Sequence, residues 1–424
     1  MLLQFAVENF LSIKDEAVLN FSATADKSLP DNLLTFNNKQ FLKSIGIFGA
    51  NASGKSNVLK AMATAINLLR SSNNRQIGDL LLGLIPFKFS KATLNKPSTF
   101  KFTFVAQGYK YFYAFSATRE KVYEEVLYKY LSSKPTKIFE RLVGDKYVFN
   151  LEDKIKLTEL AEKNTANKFF LATATSWNYA KTREAYLWFQ QDIDVLNCDV
   201  LLQGGNISFF ASDETNKLKK LTLALLREAD INIDDYKVRR TSIAADDSSA
   251  NQQLVAMMKV NGLEENRISH VDIVTGHTIV HKDSAVDKFN LLLQEESQGT
   301  ITIFMLAPVL AKTFAVGGVL CVDEIEAHFH PDLVAYLVGL FHNTELNTNQ
   351  AQLLFTTHDV NMMDLDFLRR DQFYFTQKAN TTGETELYSL AEFSVRKSEN
   401  IRKAYLAGRF GAVPAMGCGG ALCP

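Results

Sequence analysis

The 424-residue chain is 46% hydrophobic and 22% charged, which fits two or three folded domains and excludes a disordered or low-complexity polypeptide. Its 46 basic and 47 acidic side chains nearly cancel, excluding a global field that would draw it to nucleic acid or anionic lipid. The longest apolar run, 301–321, is broken by Pro308, Lys312 and Gly317-Gly318, so no membrane span is expected.

In chain order, alternating apolar residues predict strands over 2–7 and 16–21. A short apolar run at 44–48 ends in a glycine turn. Over 56–69 the apolar residues Val58, Leu59, Met62, Ala65, Ile66 and Leu69 take helical spacing. From 96 to 148 the pattern changes. Phe100, Phe102 and Phe104, then Tyr111, Tyr113 and Phe115, recur every second residue on either side of Gln107-Gly108, the pattern of a β-hairpin, and 122–130 predicts a further strand. Helices are expected within 155–190 and 213–229. Strands are expected at 254–259, 268–274 and 278–282, with a turn at Thr275-Gly276. An α/β pattern returns from Asp287: a helix at 300–313, a buried strand at 318–322, a helix opened by Pro331 and a strand at 352–356. There is no internal repeat and no sustained heptad pattern.

The segment Gly49-Ala50-Asn51-Ala52-Ser53-Gly54-Lys55-Ser56 fits G-x-x-x-x-G-K-[ST] in full, between a strand and a helix. Glycines let the backbone wrap phosphates with its N–H groups pointing inward, and the following helix adds its positive end. Gly49, Asn51, Ser53, Gly54, Lys55, Ser56 and Asn57 are therefore the expected ATP-binding residues. Lys55 is placed for the β- and γ-phosphates and Ser56 for Mg²⁺.

Val319-Leu320-Cys321-Val322-Asp323-Glu324 is an apolar strand ending in two carboxylates. Asp323 is expected to bind the Mg²⁺ hydration shell and Glu324 to polarise the attacking water as general base. The next strand leads to Thr357-His358-Asp359, which places His358 to sense the γ-phosphate. Glu296-Ser297-Gln298-Gly299-Thr300, a small polar turn opening a helix, is a second usable anion site.

The order GANASGKS, ESQGT, VLCVDE, TTHD resembles the Walker A, signature, Walker B and switch-histidine order of ABC/SMC ATPases. That resemblance implies an α/β fold, an ABC-type ATPase head in which a P-loop parallel sheet joins an antiparallel β-subdomain, with a mixed α+β insertion between Walker A and signature. It further implies that Ser297 and Gly299 act in trans on nucleotide held by a second copy, so the chain is expected to form a homodimer or a higher assembly of dimers. The implied division is 1–75 and 284–380 for the two parts of the head, 76–283 for the β-subdomain and insertion, and 381–424 for a basic tail. Glu296 stands where the usual signature has leucine, and no Q-loop glutamine is evident.

Within that superfamily the chain resembles bacterial AAA-family ATPases of phage-defence operons, the RloA-like proteins found with a nuclease partner. The shared residues are the opening Leu3 to Ile13, the ESQGT form, Asp323-Glu324 with His330-Pro331, TTHD, and Tyr405 to Pro414. The resemblance implies an ATPase that regulates a separately encoded nuclease or Toprim-like effector in antiviral defence, triggered by DNA or a phage-derived signal. The alternative is a repair ATPase acting directly on DNA ends; a third reading is a plain ABC-type regulator. A chromosome-type SMC protein would need a long coiled coil before the signature, where this sequence has hairpins and short helices. The stretch after His358 is too short for the Toprim domain that overcoming-lysogenization-defect nucleases append to a similar head.

Other features read as structural. The cysteines Cys198, Cys321, Cys418 and Cys423 lack metal spacing and fit a reducing compartment, and no signal peptide opens the sequence, so a cytoplasmic protein is expected. His270, His277 and His281 lack a completing carboxylate or cysteine, and Asp192, Asp194 and Asp199 read as a loop-to-strand passage. Trp177, Tyr186, Trp188 and Phe189 read as core or subunit contact. The segment 396–409 is basic, the pattern of a solvated helix face or of a nucleic-acid or partner contact.

Overall fold

The computed structural model describes residues 1–197, 210, 215–244, 267–282, 284, 286–396 and 399–413, with backbone alone at 240–244 and 267–270. The expected strand at 254–259, Asp199, Cys198, Cys418, Cys423, Lys397 and the side chain of His270 lie outside the described residues.

Two compact units are present: 1–197 with 313–327 and 334–424, and 198–312 with 328–333. The first opens with β1 (Leu2–Glu8), β2 (Ala17–Asn20), β3 (Leu33–Phe36), β4 (Lys39–Leu42) and β5 (Ser44–Phe48), followed by α1 (Lys55–Arg70). Then come β6 (Ser98–Ala106), β7 (Tyr109–Ala117), β8 (Val122–Tyr130), β9 (Pro135–Leu142) and β10 (Lys146–Phe149). Three short helices, α2 (Lys154–Glu162), α3 (Phe170–Ser176) and α4 (Ala180–Leu187), lead to β11 (Ile193–Asn197). The second unit holds α5 (Lys217–Glu228), β12 (Asp235–Ala244), β13 (Arg267–Val280) and β14 (Val286–Leu292), and α6 (Gln298–Val316) starts there. The chain closes with β15 (Val319–Asp323), α7 (Pro331–His342), β16 (Gln352–Thr356), β17 (Phe373–Lys378), β18 (Thr385–Ser389) and α8 (Ile401–Leu406).

The architecture is α/β. An antiparallel sheet runs β10-β9-β8-β7-β6-β1-β2, and a second sheet runs β11-β15-β16-β5-β17-β18, parallel except for its last strand. The two-residue alternation of β6 and β7 turns Phe100, Phe102, Phe104, Tyr111, Tyr113 and Phe115 inward, where all are buried. The apolar stripe of α1 (Val58, Leu59, Met62, Ala65, Ile66, Leu69) shares one core with these rings and with Val319, Cys321 and Leu354 of the parallel sheet. Helix α1 thus shares a core with both sheets, and the loop that starts it is bonded to β17 and β18 of the second. The fully parallel strands β5, β15 and β16 are buried on both faces, which is why they read as unbroken apolar runs.

Two sequence expectations fail in the second unit. Thr275-Gly276 is no turn; β13 runs through it, because Gly276 pairs with Asp235 on one side and Asn290 on the other and its backbone groups stay in the ladder. The turn comes at His281–Ser284, where Ser284 donates to the His281 carbonyl at 3.0 Å, and residues from Val286 form an antiparallel strand rather than an α/β segment. Pro308 lies inside α6 without ending it. That 19-residue helix is the one described helix long and apolar enough to cross a bilayer, and about two thirds of it is buried, as in a core helix.

Candidate nucleotide site

The phosphate loop joins β5 to α1. Ala52 and Gly54 take left-handed backbone (φ 60° and 107°), and Lys55 is the first residue of the helix. A Cβ on Gly49 would lie 2.6 Å from the Thr376 carbonyl and 2.7 Å from Ser53 Oγ, and one on Gly54 would overlap the Thr385 side chain. The loop's glycines are therefore demanded by backbone angle and by close packing together.

The neighbouring strands lock this loop. Ser53 Oγ lies 2.6 Å from Thr376 Oγ1 on β17, and Thr385 on β18 donates to the Ser53 carbonyl at 2.9 Å. Asn57 Nδ2 donates to Ser12 Oγ (2.7 Å), which lies 2.8 Å from Thr385 Oγ1. Thr376, Thr385 and Ser12 were not singled out by sequence; only Ser12 belonged to a recognised segment, and no local pattern marks a threonine that arrives from strands over 300 residues away.

Lys55 is 4% exposed. Its Nζ donates to the carbonyls of Gly49 (2.8 Å) and Ala50 (3.1 Å) and lies 3.1 Å from His358 Nδ1. Burial pulls its pKa down to about 8, against the opposing pull of Glu326, Glu324 and Asp323. Burial, and then the Lys55 charge, also lower the pKa of His358. An ammonium has only donors, so Nδ1 must accept and the ring proton sits on Nε2. His358 is thereby held as a neutral imidazole with one free N–H to offer.

At the end of β15, Asp323 is buried and its Oδ1 accepts from Thr356 Oγ1 at 2.7 Å. The same Thr356 oxygen accepts from the Glu324 backbone N–H at 2.8 Å, and the Thr356 carbonyl accepts from Ile325 N at 3.1 Å. Glu324 has left-handed backbone (φ 53°), unusual for a residue with a side chain, and Thr356 is what anchors it. Glu326 Oε1 accepts from the His358 backbone N–H at 2.5 Å, while its Oε2 is buried without a partner. Glu326 is the strongest electrostatic partner of Lys55, ahead of Glu324 and Asp323, and sequence reasoning passed over it because it lies beyond the strand that marks the motif.

The expected residues Lys55, Asp323, Glu324 and His358 thus meet at the carboxyl ends of β5, β15 and β16, with Gly49, Ser53, Gly54 and Ser56 at the adjoining loop and helix start; Asn51 is exposed and Asn57 faces Ser12. Ser297 and Gly299 lie in the second unit. There Ser297 Oγ accepts from Thr300 N at 3.2 Å and caps α6, and a Cβ on Gly299 would lie 3.0 Å from the His328 carbonyl. Glu296 Oε1 lies 2.5 Å from Thr275 Oγ1 and 2.9 Å from His277 Nε2, so the residue in the leucine position is tied to β13.

Features read as structural also find places. His281 lies 3.0 Å from Asp287, and Asp194 pairs with Arg70 at 3.4 Å. Trp188 and Phe189 are buried against Phe104, and Trp177 is exposed beneath Lys163. Among the described residues no three His, Cys, Asp or Glu side chains converge as a metal site. The oxygen donors Ser56 and Asp323 suit a hard cation that keeps most of its ligands as water and phosphate, as Mg²⁺ does.

The sequence profile of the AAA_21 family, described as "AAA domain, putative AbiEii toxin, Type IV TA system", matches residues 44–364, from the start of β5 past His358. The chain belongs to this AAA family. Three solved structures show a distant likeness. The SmcHead bound to the C-winged helix domain of ScpA matches with 12% identity and TM-score 0.38, over 94% of this chain and 98% of that one. The Smc head domain with an extended coiled coil, bound to the C-terminal domain of ScpA derived from Pyrococcus furiosus, gives 13%, 0.35, 96% and 98%. CbiO1 from Clostridium perfringens, part of the ABC transporter complex cbiONQ, gives 12%, 0.32, 97% and 98%. No curated protein matches in sequence.

Proposed function

We propose that this AAA-family protein binds and hydrolyses ATP at the β5–α1 loop, and that two copies close around the nucleotide. The observation that carries the reading is the convergence of Lys55, His358 and the Thr356-anchored pair Asp323 and Glu324 at one place. Lys55 would release its loop carbonyls to take phosphate oxygens, a low-cost exchange because its ammonium is already desolvated and aimed there. His358 would donate Nε2–H to a γ-phosphate oxygen. Glu324 would take a proton from the attacking water as its oxygen bonds to phosphorus and the bond to ADP breaks. Ser56 and Asp323 would hold Mg²⁺, which when bound neutralises charge on the phosphate oxygens. Ser297 and Gly299 of a second copy would close the site from the other side, so that the assembled state reports ATP.

In the cell this cycle would control a separately encoded effector, a nuclease or Toprim-like protein, in phage defence in the cytoplasm. The family description, which names a toxin–antitoxin system, supports a protein that works with a partner. A second reading, direct action on DNA, is supported by the lysine- and tyrosine-lined groove described below. The test is the mass in solution of Glu324→Gln, expressed with its neighbouring gene, with and without ATP and Mg²⁺. This variant should bind ATP, fail to turn it over, and accumulate as an ATP-dependent assembly. Wild-type turnover would remove Glu324 from its role, and a mass indifferent to ATP would remove the dimer. Co-purification of the neighbour's product supports the effector reading; a partner-free species that shifts on DNA supports the second.

A further inference from the structure

The antiparallel sheet carries a groove that the phosphate loop does not use. It is framed by the β3–β4 turn, the β6–β7 turn, the β8–β9 loop and the first residues of β1, with a volume of about 720 Å³, inside the range of small-molecule sites. It opens at the start of β1, whereas the phosphate loop is tied to Ser12 beyond the other end of that strand, about 20 Å away at strand rise.

Three properties of its lining converge. First, it holds no carboxylate, yet two lysines face it, Lys39 and Lys110, and neither has an acidic partner among the described residues. They stand close enough to repel: burial chiefly, and then the charge of Lys39, hold the Lys110 ammonium below its ordinary pKa. An anion between them would relieve both costs. Second, an aromatic ring borders the cations. The Lys110 ammonium lies 4.6 Å from the centroid of Tyr130, its cross-strand partner on the same sheet face, whereas the Tyr109 ring turns to the other face beneath Lys129 at 4.0 Å. Third, the remaining polar lining is neutral amide and hydroxyl, Asn37 beside the lysines among them, which can bond to either donors or acceptors. Cations without an acidic partner, an aromatic ring beside them and neutral hydrogen-bonding groups are the three demands of a phosphorylated base.

We propose that this groove binds a nucleoside phosphate, with phosphate between Lys39 and Lys110 and the base beside Tyr130. The ligand is either a free nucleotide or one unit of a single strand, since both present the same phosphate and base. The site is independent of the ATPase reading, because none of its residues belongs to the phosphate loop.

The experiment uses the full chain carrying Lys55→Ala, which disables the phosphate loop, and measures fluorescence anisotropy with a labelled ten-nucleotide (dT) strand and with a fluorescent AMP derivative. At least one probe should bind, with affinity falling as salt rises. The double variant Lys39→Glu/Lys110→Glu should weaken that binding at least tenfold, and Tyr130→Ala at least fivefold, with thermal melting unchanged because all three side chains are at the surface or groove wall. Strand binding that AMP fails to displace identifies a single strand as the source; displacement by AMP identifies the free nucleotide. The proposal is overturned if neither probe binds, or if binding is indifferent to both the lysine reversal and Tyr130→Ala. The same double variant in an otherwise wild-type chain should leave ATP turnover unchanged, and a parallel loss of turnover would overturn the separation of the two sites.

Discussion

Thr356→Val tests the proposed catalytic geometry most directly. The Thr356 side chain is fully buried, and its oxygen sits between Asp323 Oδ1 at 2.7 Å and the Glu324 N–H at 2.8 Å. Valine keeps the shape and removes both bonds. Two lost bonds at about 1 kcal/mol each, with a carboxylate oxygen and an N–H left short of partners, sum to a loss of about 2–4 kcal/mol in stability. The larger consequence is positional. Glu324 keeps its left-handed backbone because that N–H is held, and a displacement of about 1 Å at a reacting group lowers turnover about 100-fold. Lys55 and the phosphate loop are bonded elsewhere, so nucleotide affinity should stay within about threefold of wild type. Phosphate release would give the rate, a fluorescent ATP analogue the affinity, and thermal unfolding the stability. Thr356→Ser, which restores the hydroxyl, should recover all three. Turnover of Thr356→Val within twofold of wild type would refute the claim that this hydroxyl sets the hydrolysis geometry.

Further outcomes follow from other buried groups. Glu326→Gln keeps an acceptor for the His358 N–H but removes the negative charge that acts most strongly on Lys55; ATP measured in EDTA should bind on the order of tenfold tighter, and unchanged or weaker binding would count against an electrostatic role. Glu125, fully buried, accepts from Tyr113 Oη (2.9 Å) and from the N–H groups of Phe170 (2.6 Å) and Leu171 (2.9 Å), capping α3 from a distant strand. Glu125→Ala strands those three donors and should cost about 3–5 kcal/mol, read as a lowered melting temperature. His342 lies 2.8 Å from Ser44 Oγ, and burial, with a smaller push from Lys43, lowers its pKa to about 3. The unfolded chain therefore takes up a proton as pH falls through about 6.5 while the native state does not, and stability drops between about pH 6.5 and 3. At pH 5 the loss is about 2 kcal/mol relative to pH 7.5, and His342→Gln should lack that increment in paired denaturation curves at the two pH values.

How much was legible in the sequence depended on whether the cause was local. Gly49 to Ser56, the strand ending in Asp323-Glu324, and the strand leading to His358 each carry their own signal, because backbone angle, burial on both faces and apolar period act over a few residues. The alternation in β6 and β7 exposed the antiparallel sheet in the same way. By contrast, Thr275-Gly276 read as a turn because glycine permits one, while pairing on both sides of β13 holds it extended. Glu326, Thr356, Thr376 and Thr385 gained their roles from strand order: β16 brings Thr356 beside Asp323, and β17 and β18 bring two threonines against Ser53. The sequence by itself determined the residue types that phosphate and its counter-ion demand. Only the tertiary structure decided which neutral hydroxyls and which third carboxylate hold them in place, because a hydrogen bond between residues hundreds of positions apart leaves no periodic trace in either segment.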